Sequence, residues 1–195
     1  YKADTFTTAV GVGGKLQVGT FQYAYTYRNP VTLEESNPVQ ILLSGQNIPL
    51  IKPATTTAVN KTVTLTNFIP SGLTGLEIVI YRSTYNSLSP LYEIATKPDT
   101  AALFVDAGIL DGTRELEYDN DLAPKSGIVA TFLNRTYYAV GDKLYYSKPF
   151  LPSSVPVENF YRVGRDGQAI TCLLTIGNNS LLIGKTRSNY ILPDD

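Results

Sequence analysis

The sequence predicts an all-β protein, a β-sandwich followed by a second antiparallel β region. Charged residues make up only 17% of the chain, whereas hydrophobic residues make up 43% and tyrosines number 14. This composition favours strands over helices. Short β-prone runs also alternate with Pro, Gly and Asn residues, which end strands and form turns. A tight hairpin is predicted within residues 134–147.

The first predicted strand, residues 19–27, has the clearest periodicity. Its aromatic residues recur at every second position, at Phe21, Tyr23, Tyr25 and Tyr27. Alternate residues of a strand share a face, so one face of this strand is strongly aromatic. We expect at least half of that face to lie in the core, because the chain has no Trp to fill its interior. A surface that stacks on sugars is the alternative.

Further runs bounded by turn residues complete about seven short strands, the number typical of a small antiparallel sandwich. They are Val39–Leu43, Val63–Phe68, Leu76–Arg82, Leu91–Ala95 and Leu103–Val105. The glycine-rich run at residues 11–14 is interpreted as a linker, because no helix pattern or Lys-Ser/Thr pair follows it as a phosphate loop requires.

Several short motifs of the first region occur in an order known from other proteins. They are Gly19–Tyr27, Glu35–Ser36, Val63–Thr66, Ile80–Ser83, Tyr92–Ala95 and Val105–Gly108. Over about residues 12–110 this order resembles the fibronectin type III-like modules of tailed bacteriophage virion and tail proteins. The resemblance implies an immunoglobulin-like sandwich. Such modules also serve as spacers or binding platforms in bacterial surface proteins and glycoside hydrolases.

A polar stretch at residues 111–121, followed by Pro124, marks the predicted domain boundary. The predicted division is an N-terminal lead, a sandwich, a linker and a second β region. Their residues are 1–11, 12–112, 113–124 and 125–195, respectively.

The predicted hairpin joins two β-prone runs by only Gly141 and Asp142. A two-residue loop fixes the register of a hairpin. On one face the predicted pairs are Val140 with Lys143, Tyr138 with Tyr145 and Thr136 with Ser147, and on the other face they are Ala139 with Leu144 and Tyr137 with Tyr146. Aromatic pairs on both faces predict packing from both sides. The predicted assembly and packing residues are Tyr137, Tyr138, Tyr145 and Tyr146.

The second region continues with further strand and turn patterns. These are Ile128–Phe132 before the hairpin, then residues 159–174, a turn at Gly177–Ser180 leading into Leu181–Ile183, and a last strand at Asn189–Leu192. Together with the hairpin, this order resembles the propeller-like region of bacteriophage tail nozzle and related tail tube-end proteins. The resemblance implies a partial β-propeller-like sheet, because the residues after Asn120 have room for only one or two blades of about 40 to 50 residues.

Composition argues against most catalytic chemistry. The chain has no histidine, which removes the usual general base, the Ser/His and Cys/His pairs and the commonest zinc ligand. The single cysteine, Cys172, is expected to be a small buried strand residue. No carboxylate pair has a recognisable catalytic setting. We therefore predict no enzymatic activity and no cofactor.

The net charge and the hydropathy pattern do not indicate binding to nucleic acid or insertion into a membrane. The formal net charge of −1 gives no global attraction to nucleic acid. No apolar run is long enough for a membrane span, and no leader pattern is present.

Two local charge clusters are candidate ligand sites. An acidic cluster is interpreted as a solvated linker, with a cation site as the alternative; its residues are Asp106, Asp111, Glu115, Glu117, Asp119 and Asp121. Within it, Asp119 and Asp121 form a weak calcium candidate that lacks the following Gly and Glu of an EF-hand loop. Four basic residues near turns would form a patch touching DNA in a tail channel, although scattered solvated charges are the preferred interpretation. These residues are Arg162, Arg165, Lys185 and Arg187.

The two resemblances imply a function as well as a fold. They imply a non-enzymatic structural component of a tailed bacteriophage virion, the nozzle or tube end of the tail. Its partners would be other tail proteins and copies of itself in a ring, with transient passage of DNA through the channel. The alternative is a glycan- or cell-surface-binding module of a phage receptor-binding or bacterial surface protein. Because the chain has no Met and starts at Tyr1, we expect a piece of a longer polypeptide.

Overall fold

The protein is built from antiparallel β-sheets. The computed structural model describes residues 6–43, 46–177 and 179–193. Within these ranges there are sixteen strands and no helix, and so no helix there that could cross a membrane. The all-β fold class is confirmed. The chain divides into two compact units, Tyr1–Tyr118 and Asp119–Asp195.

The first unit contains nine strands. They are Thr7–Leu16 (β1), Gly19–Arg28 (β2), Gln40–Leu43 (β3), Gln46–Pro49 (β4), Lys52–Thr56 (β5), Lys61–Thr66 (β6), Glu77–Ser83 (β7), Leu91–Pro98 (β8) and Leu103–Asp106 (β9). A three-stranded sheet has the order β1-β6-β9, and a four-stranded sheet has the order β5-β2-β7-β8. Strands β3 and β4 form a separate two-stranded ribbon.

The two larger sheets share one hydrophobic core, which makes the first unit a sandwich. The aromatic face of β2 supplies Phe21, Tyr23 and Tyr25 to this core, where they meet Val63 and Leu65 from β6. Tyr25 and Tyr23 are fully buried. The prediction that the aromatic face forms the core is confirmed, because a sheet face this apolar must be removed from water.

The other face of the four-stranded sheet is also covered. Tyr81 and Leu91 lie in a second core cluster together with Leu116. The segment carrying Leu116 runs along the free edge of β8, where the amide of Leu116 donates to the carbonyl of Leu91 at 2.8 Å. The first residues of the predicted linker are therefore part of the first unit, since pairing with an edge strand satisfies backbone groups of both segments.

The predicted N-terminal lead, residues 1–11, overlaps the first strand and its end was therefore wrongly placed. β1 begins at Thr7, inside the predicted lead, and includes the glycine run that was interpreted as a linker. A Cβ at Gly14 would collide with the backbone carbonyl of Lys61, and one at Gly11 would lie 2.5 Å from Thr62 Oγ1. These glycines therefore allow close approach to β6, and this close packing is why a flexible linker was the wrong interpretation.

The second unit contains seven strands in two sheets. They are Val129–Phe132 (β10), Arg135–Val140 (β11), Lys143–Tyr146 (β12), Phe160–Arg162 (β13), Ile170–Ile176 (β14), Ser180–Lys185 (β15) and Asn189–Pro193 (β16). Each sheet is a meander, with the orders β10-β11-β12-β13 and β14-β15-β16. The predicted turn at Gly177–Ser180 joins β14 to β15, and its residue Asn178 lies outside the described residues.

A single core joins the inner faces of these two sheets. Tyr137 and Leu144 from the first sheet pack with Leu181 and Ile183 from the second. Apolar side chains from facing sheets interdigitate in this way because each sheet must cover at least one apolar face.

The hairpin of β11 and β12 has the predicted register. Tyr137 pairs with Tyr146, Tyr138 with Tyr145, Ala139 with Leu144 and Val140 with Lys143. Gly141 has a φ angle of 62°, the sign required at the first central residue of a type II′ turn. The two-residue turn thus fixes which residues share a face.

Candidate functional site

The inner face of the tyrosine hairpin forms part of the core of the second unit. Tyr137 is 5% exposed, and its ring centroid lies 6.2 Å from that of Tyr146. Tyr146 in turn stacks on Tyr161 at 4.9 Å, while the Arg135 guanidinium lies over the Tyr146 ring at 5.4 Å. Burial raises the pKa of Tyr137 and that of Tyr146. The rings of Tyr137, Tyr146 and Tyr161 therefore form one row on this face, and the Arg135 guanidinium packs on the middle ring.

The outer face carries a second aromatic row that crosses three strands. Tyr138 pairs with Tyr145, and Tyr145 pairs with Phe160. The Tyr145 and Phe160 centroids are 5.4 Å apart, and the Lys143 ammonium lies 4.3 Å from the Phe160 centroid. A cation over a ring face gains electrostatic stabilisation from the ring quadrupole.

One end of this outer face is covered by the segment between β12 and β13. Thr136 and Ser147, which share the face with Tyr138, are both buried. The hydroxyl of Tyr138 donates to the carbonyl of Pro152 at 2.6 Å, and Val155 in the same segment is 2% exposed. The outer face of the hairpin is therefore covered at this end by its own unit, and the predicted packing of all four tyrosines from both sides stays a prediction. Whether its tyrosines also contact other copies stays a prediction.

The two aspartates of the calcium candidate have other partners. Asp119 Oδ1 lies 2.5 Å from the Lys148 ammonium, and Asp121 Oδ2 accepts the backbone amide of Val157 at 3.2 Å. Among the described residues, no group of three or more Asp, Glu or Cys side chains is placed to hold a metal ion.

The four predicted basic residues occupy different environments. The Lys185 side chain is fully buried, and its ammonium donates to the carbonyl of Val163 and to Asp166 Oδ1, the latter at 2.7 Å. Arg162 lies 3.4 Å from Asp142, whereas Arg165 and Arg187 are exposed. Lys185 is thus neither a solvated charge nor available to a ligand, because it ties the loop after β13 to β15.

Hydrogen bonds from Lys185 and from a backbone amide lower the pKa of Asp166, a residue of this loop. The Lys185 ammonium and the amide of Gln168 hold the pKa of Asp166 below its ordinary value. Each donor stabilises the charged carboxylate. The loop is therefore held in place by the ionised form of Asp166.

Cys172 lies in β14, as expected, but its side chain is exposed rather than buried. A Cβ at Gly184 would collide with the sulfur of Cys172, so the sulfur lies over Gly184 on the outer face of the sheet. The prediction of burial was wrong because a register shift between Ile170 and Cys172 moves the cysteine away from the core face.

A set of ion pairs inside the first unit was not predicted from the sequence. Asp106 is fully buried, accepts a hydrogen bond from the Tyr23 hydroxyl at 2.8 Å and lies 2.6 Å from the Arg82 guanidinium. Arg82 also lies 2.6 Å from Asp111. These contacts correct the interpretation of the acidic stretch as a solvated linker. A charged residue directly after each apolar run was the available signal.

A second group of charges lies on the opposite face of the four-stranded sheet. Glu35 accepts hydrogen bonds from the hydroxyls of Thr26 and Tyr81, at 2.5 and 2.6 Å. Arg114 lies 2.6 Å from the other oxygen of Glu35. Asp106 and Glu35 are each paired with a guanidinium and each accept hydrogen bonds from hydroxyl groups. The geometry therefore serves to fix loops on the sheet rather than to expose an acid or base.

Two shallow openings lie on the surface of the described residues. One, of about 400 Å³, lies beside the turn at Leu133 and Asn134, and the other, of about 490 Å³, lies along β8 beside Gly112. Neither contains a nucleophile paired with a base.

No protein-family model, curated protein or solved structure matches this chain.

Proposed function

We propose that this chain is a non-enzymatic structural component of a tailed bacteriophage virion, from the nozzle or tube end of the tail. The observation that carries the proposal is the succession of two β units, a sandwich followed by two meander sheets with a shared core. That succession is the one implied by the two sequence resemblances. Other tail proteins and copies of itself in a ring are the proposed partners.

We further propose that the first unit is a fibronectin type III-like module. Its support is a four-stranded sheet of order β5-β2-β7-β8 that faces a smaller sheet containing β1 and β6. Such sandwiches pair strands that are distant in sequence through Greek-key connections. In this role the unit is a spacer or docking platform, because the aromatic face of β2 is buried in the core and is not accessible to a sugar.

The second unit is proposed to be part of a β-propeller. A propeller blade is a four-stranded meander, and the sheet β10-β11-β12-β13 has this form. The three-stranded sheet that follows it packs face to face with it, as one blade does with the next. Complete closure requires further sheets.

A non-enzymatic role is supported by how the charged side chains are used. Asp106 and Glu35, two buried carboxylates, are both held by arginines. General acid-base catalysis needs a group within hydrogen-bond reach of a substrate, and these two carboxylates face the protein interior.

The test is expression of the full reading frame that contains this sequence, followed by electron microscopy of the purified product. We expect closed rings of identical subunits and neighbouring genes for portal, head-closure or tail-tube proteins. A full-length product that stays monomeric, with neighbouring genes unrelated to virion assembly, would contradict the proposal.

A glycan-binding module is the second candidate, and one observation favours it. The row of Tyr138, Tyr145 and Phe160 remains partly accessible on the outer face of its sheet, and aromatic rings stack on sugars. Glycan-array binding that is lost in Phe160→Ala, a variant on the accessible edge strand, would support this candidate. Absence of binding to the array would remove it, and binding that is unchanged in Phe160→Ala would show that this aromatic row is not the binding surface.

A further inference from the structure

We infer that the outer face of the sheet β14-β15-β16 is a self-association surface, on which a second copy of this chain packs the same face about a two-fold axis. The inference goes beyond the proposed function, in which a further propeller sheet would compete with the second copy for this face. We call this surface the aliphatic face, and its members are Cys172, Leu174, Ile176, Leu182 and Ile191.

The aliphatic face is apolar on a side of the sheet that the described chain leaves uncovered. Leu174 is 57% exposed, Ile176 is 48% exposed and Ile191 is 63% exposed. Leu174 pairs with Leu182, which pairs with Ile191, so these three side chains form one row across the sheet. The inner side of the same strands is already in the core through Leu181 and Ile183. Exposed apolar side chains that adjoin one another on one face, rather than lying singly, favour an interaction site.

Charge favours the same face of a second copy over the other sheet as the occupant. The aliphatic face carries no charged side chain. The outer face of β10-β11-β12-β13 carries Lys143 and Arg162, which would lose hydration against an aliphatic surface that offers no carboxylate. One end of that other face is also covered by the segment containing Pro152 and Val155. Packing the aliphatic face on itself leaves no charge buried without a partner.

The size of the face sets the expected strength of the dimer. Three strands with about five residues each present a surface about 14 Å wide and about 17 Å long. That area is well below the roughly 800 Å² per partner of a standard stable interface. The dimer is therefore expected to be weak, with a Kd of roughly tens to hundreds of micromolar.

Sedimentation velocity of the chain over a range of concentrations up to about 1 mM tests the inference across this range of affinity. We expect a reversible monomer-dimer equilibrium with no larger species. Leu174→Lys should weaken it at least about tenfold, because the ammonium would be buried in the interface without a carboxylate partner. The matched control is Leu110→Lys, an equally drastic change at a residue that is 89% exposed in the first unit. Circular dichroism checks that both variants fold.

Cys172 provides a second measurement that does not require a variant. It is the single cysteine of the chain and lies on the aliphatic face. Its reaction with a maleimide should slow as protein concentration rises, and attachment of a charged maleimide should abolish the dimer. A chain that stays monomeric up to about 1 mM, a dimer unaffected by Leu174→Lys, or a mass that keeps growing beyond the dimer would each overturn the inference.

Discussion

Arg82 and Asp106 form an ion pair at 2.6 Å inside the first unit, with the carboxylate fully buried and the guanidinium side chain 6% exposed. The pair joins the end of β7 to the end of β9, two strands of different sheets. The Tyr23 hydroxyl, from β2, donates to the same carboxylate. One buried charge cluster therefore holds the two layers of the sandwich together.

Arg82→Met should destabilise the first unit by about 3 to 5 kcal/mol, because it leaves the Asp106 carboxylate buried without its cation. Urea unfolding followed by circular dichroism measures the change. Adding Asp106→Asn to this variant should recover part of the loss, since the amide carries no charge to neutralise. If the double variant is less stable than Arg82→Met alone, the ion pair is not the source of the effect.

Alkaline pH should destabilise the first unit. Burial first, and then the nearby carboxylates of Asp106 and Glu35, raise the pKa of Tyr23 and that of Tyr81 above the unfolded value of 10.0. The folded state holds these protons more tightly than the unfolded state does. Their contribution to stability is therefore complete below about pH 10 and is lost progressively as the pH rises above it.

Ultraviolet absorbance during an alkaline titration measures this effect. A subset of tyrosines should ionise only together with loss of the β-sheet signal, whereas all should ionise near their ordinary pKa in denaturant. Gradual ionisation of every tyrosine with the sheet signal intact would show that Tyr23 and Tyr81 are not held as described.

The two neighbouring hairpin tyrosines should differ in importance. Tyr137→Ala should cost about 3 to 5 kcal/mol of second-unit stability, the range for removing a buried aromatic ring. Tyr138→Ala should cost less, because this residue is half-buried and loses one hydrogen bond to Pro152. Thermal unfolding separates the two variants, with the first unit as an internal control. Equal losses would mean that the outer face is as fully packed as the inner face.

Limited trypsin digestion should cut first after Lys125. This residue is exposed, whereas Arg114 is paired with Glu35 in a segment bonded to the edge of β8. Proteases need an extended, locally unfolded stretch of chain. Mass spectrometry of the first fragments gives the answer, and the urea-unfolded chain, which should be cut at both positions, is the control. Early cutting after Arg114 would show that this segment is not held on the sheet.

The sequence determined the fold class and the hairpin register. The period of two in Phe21, Tyr23 and Tyr25 and the two-residue turn at Gly141 and Asp142 are local signals. A strand alternates its faces and a short loop aligns its flanking residues, so no distant part of the chain is needed to predict either feature.

Only the tertiary structure decided where the charges and the glycine run belong. Asp106 looked like part of a solvated acidic stretch, but its partner Arg82 lies 24 residues earlier in the chain and is brought to it by the two sheets. Gly14 looked like a linker residue, but it lies in β1, where its backbone packs so closely on Lys61 that no side chain would fit. Cys172 was moved off the core face by a register shift against β15. Each outcome depends on contacts between residues distant in sequence, and the free energy of burying or pairing a group is fixed by the neighbours that the fold brings to it.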